Sequence, residues 1–199
     1  MGSTIVQRLD RMHAPQTLAL LGELRLSLFG VQSPRLHAAL VADAVSGAIE
    51  CRVAADADRV VGVVLAAPAS YWRSALLRHW GLAWECALAR VRATTHAGTG
   101  RAEPLPADTR SALSAGTPSR TWAAPGDAWR IILVGTAADA RGRGIAARLY
   151  RSLMAERSLV ARIAKDNTPS IRLHRSLGWR LYADGPVVLA VYERARQAA

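Results

Sequence analysis

Arg141-Gly142-Arg143-Gly144-Ile145-Ala146 sets two permanent cations among two glycines, at the head of a helix-forming run that reaches about Glu156. A glycine takes positive φ without a Cβ penalty and lets a ligand approach the backbone. The first amides of a helix have no intrahelical acceptor, and the helix dipole makes that end partly positive. An anion suits such a place, a phosphate above all. Arg141 and Arg143 would add charge-assisted, bidentate hydrogen bonds, so a diphosphate matches the stretch. A solvated basic turn without any ligand would use the same residues.

A dinucleotide fingerprint competes for this stretch. Gly142-Arg143-Gly144-Ile145-Ala146-Ala147 satisfies G-x-G-x-x-A, and Asp166 follows about twenty residues later, near a strand end. Against it, the residues from Thr136 to Arg141 separate the glycines from their strand, and little chain follows for the usual sheet.

The elements that would position the turn alternate in type. Trp129 to Val134 reads as a buried strand running into it. After it come a strand at Leu159–Ala164, a short helix at Pro169–Leu177 stopped by Gly178, and closing strands at Leu181-Tyr182 and Val187–Tyr192. Before it, Thr4–Leu9 reads as a strand and Pro15–Phe29 as an amphipathic helix. Ser33-Pro34 reads as an N-cap with proline in the first turn of a helix that Gly47 ends. Ile49–Ala55 and Val60–Leu65, joined by Asp56-Ala57-Asp58, form a hairpin signal. Tyr71–Ala93 reads as a helix. Residues 96–127, rich in Gly, Pro, Ser, Thr and Ala without an apolar period, read as a flexible insertion. The sum is a mixed α/β chain.

Bulk properties narrow the classes. A chain of 199 residues suits one domain spanning 1–199 with a full core. No uncharged run approaches the roughly 18 residues of a membrane span, and Met1–Val6 lacks the long apolar stretch of a signal peptide. A cytoplasmic protein is the expectation. Cys51 and Cys86 are too few for a disulfide framework or a cysteine zinc site, and no metal site is expected. The formal charge is +11, and Lys165 is the only lysine. Such a charge serves nucleic acid, an anionic membrane or a polyphosphate ligand equally, or reflects a composition rich in Ala and Arg. No aromatic-basic alternation supports a nucleic-acid partner.

Val134–Tyr150 followed by Asn167–Trp179 resembles the GNAT superfamily of acyl-CoA N-acyltransferases. Arg141-Gly142-Arg143-Gly144-Ile145-Ala146 meets its R/Q-x-x-G-x-G/A signature. Asn167-Thr168-Pro169-Ser170-Ile171-Arg172-Leu173-His174-Arg175-Ser176-Leu177-Gly178-Trp179 follows its second one, an asparagine, a short helix carrying a tyrosine and a glycine-aromatic pair, with a histidine in the tyrosine's place. Gly62, in the second strand of the hairpin, fits the family's early strands. The resemblance implies a GNAT-like splayed central sheet flanked by helices, acetyl-CoA as cosubstrate, and transfer of its acetyl group to an amine by direct attack. It implies that the backbone of Arg141, Gly142, Arg143, Gly144, Ile145 and Ala146 holds the diphosphate. Val134 and Thr136, the latter where valine is more usual, would offer free backbone groups to the pantetheine arm, and Asn167 would hydrogen-bond it. Asn167 or Thr168 could equally cap the helix.

His174 stands where many members carry the tyrosine that protonates the departing thiolate, so it is the candidate acid, or else a surface helix residue. Glu50, His79, Glu85, His96 and Asp127 are candidate bases that no spacing rule separates. Trp72, Leu76, Trp80, Ala83, Ala87 and Val91 share one face of the 71–93 helix, either as core or as the wall of an acceptor pocket or a membrane-surface contact. The acceptor implied is a small-molecule or peptide amine, and a homodimer is compatible. The alternative is a non-catalytic module that binds acyl-CoA or a nucleotide.

Overall fold

The computed structural model describes residues 4–24, 33–57, 59–79 and 128–195. The insertion expected at 96–127 lies outside them, as does the 71–93 helix beyond residue 79. The described elements are β1 (Ile5–Arg8), α1 (Ala14–Glu23), α2 (Pro34–Val45), β2 (Glu50–Asp56), β3 (Arg59–Pro68), α3 (Tyr71–Arg78), β4 (Trp129–Thr136), α4 (Ile145–Met154), β5 (Leu159–Ala164), α5 (Thr168–Ser176), β6 (Arg180–Asp184) and β7 (Val187–Tyr192). They build one mixed sheet in the order β1-β2-β3-β4-β5-β7-β6. Every neighbouring pair is antiparallel except β4 and β5.

Local signals explain most boundaries. Ser33 caps α2 by accepting from the Leu36 amide at 3.4 Å, with Pro34 in the first turn, and Gly47 ends the helix at φ +81°. Gly178, at φ +79°, ends α5: its amide donates to Arg175 and the Trp179 amide to His174, the two bonds of a Schellman motif. Val60 to Ala67 of β3 are all buried, as a strand covered on both faces must be. α4 covers one face of β3, because Ile145, Leu149 and Leu153 recur every four residues and are buried. Gly62 makes that contact close: a Cβ there would lie 2.6 Å from Ile145 Cγ2 and 3.2 Å from Leu149 Cδ1.

The sheet opens at its centre. β4 pairs along β3 from Trp129↔Pro68 to Thr136↔Gly62, with a register shift that leaves Ile132 as an extra residue. Towards β5 it pairs only at Trp129↔Leu159 and Arg130↔Val160. From Ile131 onward the two parallel strands have parted. The splayed sheet expected from the family resemblance is therefore present.

Candidate active site

The open flank of β4 and the head of α4 form one continuous surface. The Ala137 amide donates to the Val61 carbonyl at 2.9 Å, so its N–H points toward β3. Alternation along the ladder turns Gly135 and Leu133 the same way, and turns the peptide groups of Val134 and Thr136 toward the gap. Both residues are half-buried, as expected beside an opening. Beyond Thr136 a short 3-10 turn, Ala138–Ala140, leads into the glycine-arginine stretch; nothing in the sequence had marked it.

Gly142 and Gly144 take φ of +74° and +71°, the left-handed region that the reading of the turn required. Gly144 is the N-cap of α4, and among the described residues no side chain caps that end. Open space surrounds the position of a Cβ at either glycine. The leading amides, through Ala146, thus carry the dipole's positive charge with no acceptor from the helix. Ile145 is buried and anchors the turn from below, while Arg141, Gly142, Arg143 and Gly144 are exposed. This geometry suits a diphosphate.

The two arginines differ. Arg141 projects without an ion-pair partner among the described residues. Arg143 folds back on the sheet: its guanidinium donates to Asp56 Oδ2 at 2.7 Å and to Thr4 Oγ1 at 3.2 Å. Arg148, on the first turn of α4, donates to the Thr4 carbonyl at 3.0 Å. Arg59 and Asp139 form a second ion pair between β3 and the 3-10 turn, and that pair holds the Asp139 carboxyl below its usual range. Sequence reasoning missed Asp56, Arg59, Thr4 and Asp139, because their pairings join positions far apart in the chain.

Asn167 is the N-cap of α5, its side-chain oxygen accepting from the Ser170 amide at 3.1 Å. Of the two candidates for that cap, Asn167 fills it. Its amide N–H₂ remains available as a donor, so capping and ligand binding are compatible on one side chain.

His174 is buried at 1 % exposure, which removes the reading of it as a surface residue. Its ring meets Tyr150 and Trp179 edge-on, each at 4.7 Å between centroids. Nδ1 lies 2.7 Å from the Ser170 carbonyl, an acceptor, so Nδ1 carries the proton. In the neutral ring Nε2 is then a bare lone pair, buried without a hydrogen-bond partner among the described residues. Burial depresses the His174 pKa below its ordinary value near 6.5, only partly opposed by the Ser170 hydrogen bond. This is the tautomer of a proton acceptor. Donation from Nε2 would need an imidazolium that the surroundings disfavour.

Two candidate bases are already committed. Glu50 is buried on β2 among Arg8, Arg52 and Arg157. His79 Nε2 approaches Asp43 Oδ2 at 3.3 Å, and the same carboxylate accepts from Tyr71 at 2.7 Å and Arg78 at 3.3 Å. Burial and that hydrogen bond push the Tyr71 hydroxyl pKa up. Glu85, His96 and Asp127 lie outside the described residues, as does Cys86. Cys51 is buried and its thiol is pushed up to about 12, mainly by desolvation, which leaves it inert as a nucleophile. Among the described residues no group of His, Cys, Asp and Glu could hold a metal ion, and no helix is long and apolar enough to cross a membrane.

Residues 21–179 match the family described as the acetyltransferase (GNAT) family. No curated protein sequence matches the chain. Among solved structures, an N-acetyltransferase from Staphylococcus aureus Mu50 is 17% identical, with 96% of this chain and 97% of that one covered and a TM-score of 0.54. yncA, a putative acetyltransferase from Salmonella typhimurium solved with acetyl-CoA, is 14% identical over 99% and 97%, with a TM-score of 0.57. Arabidopsis thaliana NAA60, in complex with a bisubstrate analogue, is 15% identical over 96% and 97%, with a TM-score of 0.55. These likenesses show that proteins of very different sequence share this fold. With its signature turn, open strand and matched family, the chain belongs to the GNAT acetyltransferases.

Proposed function

We propose that the protein is an acetyl-CoA-dependent N-acetyltransferase acting on a small-molecule or peptide amine. One observation carries this reading: among the described residues, β4 presents an unpaired flank that runs directly into an uncapped, glycine-opened helix terminus. A thioester arm ending in a diphosphate has the shape and charge for that surface, and the yncA structure holds acetyl-CoA on a similar fold. The amides from Gly142 to Ala146, with Arg141, hold the diphosphate. The Val134 and Thr136 peptide groups hydrogen-bond the pantetheine arm, and the Asn167 amide adds a donor at its side. A free amide of β4 aimed at the thioester carbonyl stabilises the charge that develops on its oxygen.

The acyl step needs no covalent enzyme intermediate. The amine nitrogen bonds to the carbonyl carbon as the C–S bond breaks; the nitrogen sheds a proton and the sulfur takes one up. The tautomer that His174 holds is that of an acceptor, so the proton on sulfur comes from solvent or from another group. Holding amine and thioester together contributes most of the acceleration.

The experiment is thiol release from acetyl-CoA across a panel of amines. Release that requires both protein and amine supports the transferase. Heat of coenzyme A binding without release on any amine would favour the non-catalytic module instead.

A further inference from the structure

We infer that Asp56, at the tip of the β2–β3 hairpin, is a positioning residue for the diphosphate turn, and that Arg143 acts as its clamp rather than as a phosphate ligand. The inference rests on the proposed cosubstrate site and assigns one of its two arginines a different task.

Five contacts tie one end of the sheet to this turn. Asp56 takes Arg143, and Thr4, just before β1, takes both Arg143 and Arg148. Arg59 takes Asp139, just before the turn, and Gly62 seats Ile145, just after it. The turn is thus gripped at Asp139, Arg143, Ile145 and Arg148 while its amides stay free. A loop with two left-handed glycines has much backbone freedom to lose on binding an anion. Fixing it beforehand removes that cost from the binding step. Arg143 Nη2, at 2.7 Å from the half-buried Asp56 carboxylate, already has an anionic partner, whereas Arg141 has no ion-pair partner among the described residues.

The sign of one substitution separates the clamp from its rival. If Asp56 merely occupies Arg143 until a phosphate displaces it, Asp56→Asn frees a cation and removes a nearby anion, and coenzyme A binds tighter. If Asp56 positions the turn, Asp56→Asn loosens it and coenzyme A binds weaker. Calorimetric titration of coenzyme A into wild type, Asp56→Asn, Arg143→Gln and the double variant gives the answer. Each single variant is expected to raise Kd about three- to ten-fold, and the double by no more than the larger single, since both break one contact. For acetyl transfer, KM for acetyl-CoA rises while kcat stays within about two-fold. Tighter or unchanged binding by Asp56→Asn, or losses that add in the double variant, overturns the clamp. Circular dichroism and thermal unfolding establish that each variant is folded, and a variant that fails is replaced by Asp56→Ser. Absence of coenzyme A binding by the wild-type protein would instead sink the cosubstrate reading itself.

Discussion

Gly62→Ala probes the link between core packing and the cosubstrate turn. Gly62 has an ordinary extended φ, so the substitution acts through space and not through backbone strain. The new Cβ would meet Ile145 Cγ2 at 2.6 Å, Leu149 Cδ1 at 3.2 Å and Ala54 Cβ at 3.4 Å. Carbon atoms rest at about 3.5 to 4.0 Å, so Ile145 must retreat by roughly 1 Å. It cannot rotate away, because a β-branched side chain in a helix has one strongly preferred χ1. The whole first turn of α4 moves instead. Overpacking of this kind costs about 1–3 kcal/mol, which lowers Tm by roughly 2–12 °C in a domain of this size. Moving the amides by that distance takes at least one of them out of hydrogen-bond range of a bound diphosphate. A charge-assisted bond is worth about 1.5–3 kcal/mol, so the Kd for coenzyme A should rise at least ten-fold, about 1.4 kcal/mol. Thermal unfolding and calorimetry read the two effects separately. A lower Tm with unchanged affinity would refute the coupling of β3 to the turn; an unchanged Tm would refute the packing itself.

Further outcomes follow from single groups. Arg141→Ala should raise the KM for acetyl-CoA several-fold with kcat held, and should flatten the salt dependence of binding measured between low and high ionic strength. Asn167→Asp keeps an oxygen for the Ser170 amide but loses the N–H₂ donor; it should unfold like wild type in urea while weakening acetyl-CoA binding, whereas equal binding removes Asn167 from the ligand set. His174, with its pKa held below the ordinary 6.5, resists a proton that the unfolded chain accepts, so stability should fall as pH drops from 6.5 toward the folded value. Urea unfolding of His174→Phe should show a smaller loss over the same interval, and an identical pH profile would contradict the burial argument.

Short-range chemistry was legible in the sequence and long-range pairing was not. Ser33-Pro34, Gly47, Gly178 and the Leu159–Ala164 strand appear where their local rules put them, because caps, left-handed glycines and buried apolar runs are decided within a few residues. The glycine-opened helix head at 141–146 was legible for the same reason. β4 outran its signal by two residues, to Thr136, since its last peptide groups are fixed by pairing with β3. The fate of Arg143 was invisible: nothing near it in the chain announces Asp56 or Thr4. His174 was read by its place in a motif, yet its tautomer follows from the Ser170 carbonyl and its burial from Trp179, just beyond its own helix, and from Tyr150 on α4, a partner the local sequence does not announce.

The most direct measurement compares coenzyme A with pantetheine, which lacks the diphosphate, in calorimetric titrations of the wild-type protein. Coenzyme A should bind with an affinity that falls as salt rises, and pantetheine should bind on the order of 100-fold more weakly, the loss of about two charge-assisted hydrogen bonds. Equal affinity for the two, or no heat with coenzyme A at any ionic strength, would contradict a turn built to grip a diphosphate.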